Sequence, residues 1–135
     1  TPDHLADKGE QIFTYLFLPH TGALAESEVQ DRAAELNRPP LVFDGLSGSL
    51  PVPFRLAGDG VTLGAVKRAE KSEDLIIRLA EKSGRHSKAV LTFPQSVCIS
   101  ACDMLEWEDL SPAESADRLE LEFTPFEIKT LRIKR

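Results

Sequence analysis

The chain has 135 residues, a mass of 14.9 kDa and a formal net charge of −6. At 41% hydrophobic and 28% charged it can bury roughly two-thirds of its unfolded surface. That excludes a disordered chain, and no apolar run approaches the ~20 residues of a membrane span. The acidic balance also argues against a nucleic-acid partner, since phosphates are met mainly by clustered Lys and Arg.

Charge is unevenly spread. Residues 1–48 carry 8 acids against 3 bases, whereas 49–135 carry 14 against 13. From Asp103 to Glu122 there are 8 acids and only Arg118 to oppose them, and the chain then ends on Lys129, Arg132, Lys134 and Arg135. Solvated faces are the default reading, and a strip facing an oppositely charged partner is the alternative. The chain starts at Thr1 and its one methionine is Met104, so excision from a longer polypeptide is expected.

Ile12–Leu18 is the first predicted element. Phe13, Tyr15 and Phe17 alternate with Ile12, Leu16 and Leu18, and a strand apolar on both faces is sandwiched between layers. Tyr15 is therefore expected to face a core. Pro19-His20-Thr21-Gly22 supplies the following turn. Ser27-Glu28-Val29-Gln30 reads as a capping box, and Val29, Ala33 and Leu36 give one short helix a narrow apolar stripe. Asn37 and Pro39-Pro40 end it. Residues 44–60, with Gly45, Gly48, Gly58, Gly60 and the pair Pro51-Val52-Pro53, form the expected domain boundary.

Beyond that boundary the hydrophobic period becomes two. Val61, Leu63 and Ala65 alternate with Thr62, Gly64 and Val66. Leu75, Ile77 and Leu79 form one face of a further strand, and Val97–Leu105 reads as another. Leu119, Leu121 and Phe123 alternate with Glu120 and Glu122. Phe126, Ile128 and Thr130 share a face before Leu131 and Ile133 switch parity, which predicts a bulge or twist near Thr130. Turns are expected at Lys71-Ser72-Glu73, Lys82-Ser83-Gly84, Pro94-Gln95 and Ser111-Pro112. Short strands separated by turns, without intervening helices, predict a mainly β chain built on an antiparallel β-sandwich, with the one short helix in its N-terminal third.

The residues themselves assign no catalytic, cofactor-binding or metal-ligating site. His4, His20 and His86 show no metal spacing. Cys98 and Cys102, four apart on one strand, would lie ~13 Å from each other at ~3.3 Å per residue, beyond disulfide reach. They read as free, buried, apolar residues, which suits a reducing compartment. Gly58-Asp59-Gly60 is a turn rather than a phosphate cradle, and no nucleophile elbow or phosphate-binding loop occurs. A glycosidase-like carboxylate pair needs a cleft and one raised pKa, whereas Glu120 and Glu122 fall at polar strand positions. Glu127, between Phe126 and Ile128, is expected to form a surface ion pair across strands. Trp107, between Glu106 and Glu108, is the one candidate for an exposed sugar-stacking ring.

Four blocks in order resemble a known family. Ala6-Asp7-Lys8-Gly9-Glu10, Phe13-Thr14-Tyr15 and Leu18-Pro19-His20-x-Gly22 come first, then Ala33 and Leu36-Asn37-x-Pro39. Gly64-Ala65-Val66-Lys67-Arg68-Ala69-Glu70 is followed by Ile76-Ile77-Arg78-Leu79-Ala80-Glu81 and Gly84-Arg85. Pro125-Phe126-Glu127-Ile128-Lys129-Thr130-Leu131 closes the series. Together they resemble the end of the family 38 glycoside hydrolases, the α-mannosidases, over nearly the whole chain. Gln11, Gly64 and Ala80 depart from its usual His, Ser and Tyr.

The resemblance implies residues 1–48 at the end of a preceding large β domain and 49–135 as a C-terminal β-sandwich. It implies a non-catalytic part of a retaining enzyme that cleaves terminal α-mannosides, a part that supports the catalytic domain structurally. Zinc would be bound outside this chain, and the partners would be a missing N-terminal catalytic domain and the α-mannoside substrate. The free cysteines and motif spelling point to a bacterial cytoplasm. The competing expectation is a stand-alone carbohydrate-binding or protein-interaction β-sandwich.

Overall fold

Six strands account for most of the regular structure. The computed structural model describes residues 8–45, 48 and 51–134; His4, Ala6, Asp7 and Arg135 lie outside them. Close contacts divide the chain into two units, Thr1–Asp44 and Gly45–Arg135, so the break falls within the Gly/Pro-rich stretch.

The first unit holds a 3-10 turn, Leu24–Glu26, and helix α1, Val29–Asn37. Ser27 joins the two: its hydroxyl donates to the Leu24 carbonyl at 2.8 Å and accepts the Val29 amide at 3.4 Å. The N-cap residue is Glu28, whose side chain makes no capping bond. Asn37 closes the far end by donating to the Ala33 carbonyl at 2.7 Å. The expected strand Ile12–Leu18 does not form. Its residues have no ladder, and Ile12, Phe13, Tyr15 and Phe17 are 79–86% exposed, so Tyr15 faces no core within the described residues. The alternation is present, but a strand needs a partner, and the described residues of this unit contain no strand at all.

The second unit is mainly β. Its strands are β1 Arg55–Ala57, β2 Val61–Arg68, β3 Leu75–Glu81, β4 Ser87–Cys102, β5 Glu114–Phe123 and β6 Ile128–Lys134. All pairings are antiparallel, in the order β1-β4-β6-β3-β2, with β5 also on β4. β4 explains how one sheet becomes two layers. Its first part pairs with β1 through residues 90–92, while its last part pairs with β6 through 98–102. β5 follows the other side of both, with a register break between Thr92 and Val97. The expected turn at Pro94-Gln95 is therefore this break inside a continuous strand. Proline has no N–H to give, and here the ladders on both sides lapse.

The two parts of the curled sheet enclose one core. Ile77, Leu79, Leu131, Ile133 and Ile99 meet Ala89, Leu91, Phe93 and Phe123, with Leu56 and Leu119 packed alongside. β6 carries no bulge at Thr130, since its pairing with β3 is continuous from Ala80↔Ile128 to Leu75↔Ile133. Residues Thr130 to Ile133 are all buried because β6 is covered on both faces. Leu131 and Ile133 enter the core, while Thr130 and Arg132 lie under the loop that follows β4. The irregularity falls instead between Leu63 and Ala65 of β2. Strand β1, inside the stretch read as a linker, was not apparent from three residues between prolines and glycine. Gly58 follows it at φ +146°, where a Cβ would stand 2.4 Å from the Lys88 carbonyl. Only glycine lets the chain pass so close to β4.

Candidate functional site

Two buried carboxylates organise the polar chemistry of the second unit. Glu81, at the end of β3, is 3% exposed. Its Oε1 accepts the Ser83 amide at 2.8 Å and the Ser83 hydroxyl, and its Oε2 accepts the amides of Gly84 at 2.8 Å and Phe126 at 2.9 Å. Burial pushes its pKa up, but the Ser83 hydroxyl and the three amides outweigh this and bring it down to about 2. One carboxylate thus clasps the β3–β4 turn to the β5–β6 turn. Gly84 has φ +71°, and a Cβ there would lie 2.7 Å from the Phe126 ring.

Glu106 is the second, set in the loop after β4 at φ 62°. It accepts the Glu70 amide at 3.0 Å and pairs with Lys67 at 3.1 Å and Arg78 at 3.3 Å. Burial opposes ionisation, and the Lys67 ammonium and Glu70 amide overcome it, so the pKa is lowered. Arg132, buried on β6, donates to the Glu106 carbonyl at 2.8 Å and pairs with Asp109 at 3.0 Å. Lys134 reaches the other Asp109 oxygen at 3.1 Å. Asp103 shapes the loop itself by accepting the amides of Trp107 at 2.7 Å and Glu108 at 3.2 Å. Beneath it, Cys102 packs with Ala69 and Ile76, and burial raises its thiol pKa.

Several acids of the run are therefore neutralised within the domain, Asp109 by the C-terminal strand and the others by bases elsewhere in the sheet. Glu122 pairs with Lys88 directly across the β4–β5 ladder at 2.7 Å, and Glu120 with Arg118 at 3.0 Å. Glu127 pairs with Lys129 at 2.7 Å and accepts the Thr124 amide at 2.8 Å, so it closes a turn rather than bridging strands. Among the described residues, Glu81, Asp103, Glu106, Asp109, Glu122 and Glu127 are displaced downward from their ordinary values. Proton donation to a leaving group needs the opposite shift.

Other candidates remain apart. His86 is exposed in the β3–β4 turn. His20 lines an open depression of about 500 Å³ in the first unit with Thr21, Glu26, Ser27 and Glu28, and Glu28 there is paired with Arg32 at 3.2 Å. Cys98 and Cys102 are free, Cys102 buried and Cys98 half-buried. Trp107 is 65% exposed, with the Lys71 ammonium 4.6 Å from its ring centroid. Among the described residues, no three His, Cys, Asp or Glu are grouped to hold a metal ion, and no helix is long and apolar enough to cross a membrane. Reading the sequence did not find the Glu81 and Glu106 clusters. Glu81 followed by Ser83-Gly84 was a usable signal, because an acid two residues before small turn residues can accept their amides.

A curled antiparallel sheet closed over a core is a β-sandwich. Residues 60–131 match the glycosyl hydrolases family 38 C-terminal beta sandwich domain, and the chain belongs to that family. It is 35% identical to human (Homo sapiens) alpha-mannosidase 2C1 over 96% of this chain. The match spans 13% of that relative's length.

Proposed function

We propose that this chain is the C-terminal, non-catalytic part of a retaining α-mannosidase acting on terminal α-mannosides, and that it supports the catalytic part structurally. The observation that carries this reading is the use of Glu81 and Glu106. The domain's most buried carboxylates are ionised and saturated by amides and cations that hold turns and loops in place. Groups so engaged serve rigidity, whereas a retaining glycosidase needs two carboxyl groups ~5 Å apart with one proton between them. By the same reading the nucleophile, the acid and the zinc belong to other parts of the polypeptide. The described residues do not fit a zinc site, since no three His, Cys, Asp or Glu among them are grouped to hold one.

Residues 1–48 would be the end of the preceding β domain, with Ile12–Leu18 a strand whose neighbours lie elsewhere in the polypeptide. The five exposed apolar side chains between Ile12 and Phe17 support that reading. Free Cys98 and Cys102 support a cytoplasmic location, with a bacterial host our expectation. The direct test is to assay the 135-residue chain on an aryl α-mannoside and to titrate it calorimetrically with methyl α-mannoside. Neither turnover nor saturable binding is expected. Turnover would overturn the non-catalytic assignment, and tight binding would favour a carbohydrate-binding module centred on Trp107.

A further inference from the structure

The loop after β4 presents its apolar side chains outward. Met104, Leu105 and Leu110 are 55%, 61% and 67% exposed, and Ile128 at the start of β6 is 45% exposed. Met104, Leu110 and Ile128 border a depression of about 300 Å³ that is also lined by Leu121 and Leu131. The loop is nevertheless firmly built. Leu110 donates its amide to the Ala101 carbonyl at 2.7 Å, Asp103 its own to Glu108 at 3.0 Å, and Glu106 is locked beneath by Lys67 and Arg78. A rigid loop that turns several large apolar residues to solvent is a surface awaiting a partner.

We propose that this depression is where the sandwich docks against the catalytic part of the same polypeptide. The proposal rests on the functional reading above and names the surface through which it works. Two observations select that occupant. The chain accounts for 13% of the length of its human relative, so most of the polypeptide is available to cover it. The bordering charges are already satisfied within the domain: Glu127 and Lys129 by each other, and Asp103 by loop amides. Such a patch offers apolar area and no unpaired charge to steer a transient partner, which suits a permanent interface.

Met104 reports on the site, because thioether oxidation follows exposure. Dilute peroxide is applied to the 135-residue chain and to the full-length polypeptide, and Met104 sulfoxide is followed by peptide mass spectrometry. Oxidation several-fold slower in the full-length protein is expected. Leu105→Asp with Leu110→Asp should restore the fast rate and lower the full-length Tm. Equal, fast rates in both would overturn the proposal. Equal, slow rates would also overturn it, with sedimentation showing whether a second copy or the chain's own first unit covers the patch. If truncation of the domain abolishes activity while Met104 oxidises equally fast in both proteins, the supporting role stands and this surface falls.

Discussion

Glu81 shows how one side chain can set the acid limit of a fold. Its carboxyl is held at about 2 from an ordinary value of 4.5, so the ionised form stabilises the native state. That contribution is complete above the unfolded-state pKa and is lost as pH falls from about 4.5 towards 2. Glu81→Gln should therefore lower stability at pH 7 and flatten the decline between pH 4.5 and 2, as followed by urea unfolding at each pH. An unchanged acid slope would contradict the clasp. Gly84→Ala tests the same junction from the backbone side. A side chain at φ +71° against Phe126 should cost about 1–2 kcal/mol, read as a shift in the urea midpoint. The local half of the clasp, Glu81 on the Ser83 and Gly84 amides, left a signal in the residues, whereas the half on Phe126 did not, because that amide is 45 positions away.

Strands were legible wherever one face is wet. The regular alternation in β2 and β5 gave their positions, because period two is what a half-buried sheet imposes, and β3 was found from Leu75, Ile77 and Leu79 although Ile76 buries its other face. β6 was misread as bulged, since burial on both faces removes the alternation without disturbing the ladder. Pro94 looked like a turn because sequence cannot show that the neighbouring ladders lapse at that point. Ile12–Leu18 had strand chemistry and no partner to pair with among the described residues. The element most dependent on long-range polar contacts is β6. Arg132→Ala would take the buried guanidinium from Asp109, Asp74 and the Glu106 carbonyl while Lys134 stays on Asp109, a loss of about 1–3 kcal/mol. Arg132→Lys should recover only part of it, because an ammonium cannot span these acceptors as a guanidinium does. Guanidinium unfolding of the three proteins would order them, and equal stability of Arg132→Ala and the wild type would remove the loop-anchoring role.

For the whole molecule, the family was legible from ordered sequence blocks and the sandwich from its turns. The support role is implied only by the resemblance and stays a proposal, because it would concern surfaces that meet residues beyond this chain. The structure adds that several acids of the run from Asp103 to Glu122 are paired within the domain, with Lys67, Arg78, Lys88 and Arg118 as well as with Arg132 and Lys134, so net charge says little about partners here. Gly58→Ala, which drives a Cβ onto the backbone of β4, should cost about 3 kcal/mol. If the domain supports catalysis from outside the active site, that loss should appear as a lower Tm of mannosidase activity with KM unchanged. The most direct test compares the full-length polypeptide with a version lacking residues 49–135, measuring aryl α-mannoside hydrolysis and Tm on both. We expect the truncated protein to be inactive or insoluble. Full activity at an unchanged Tm would contradict the supporting role.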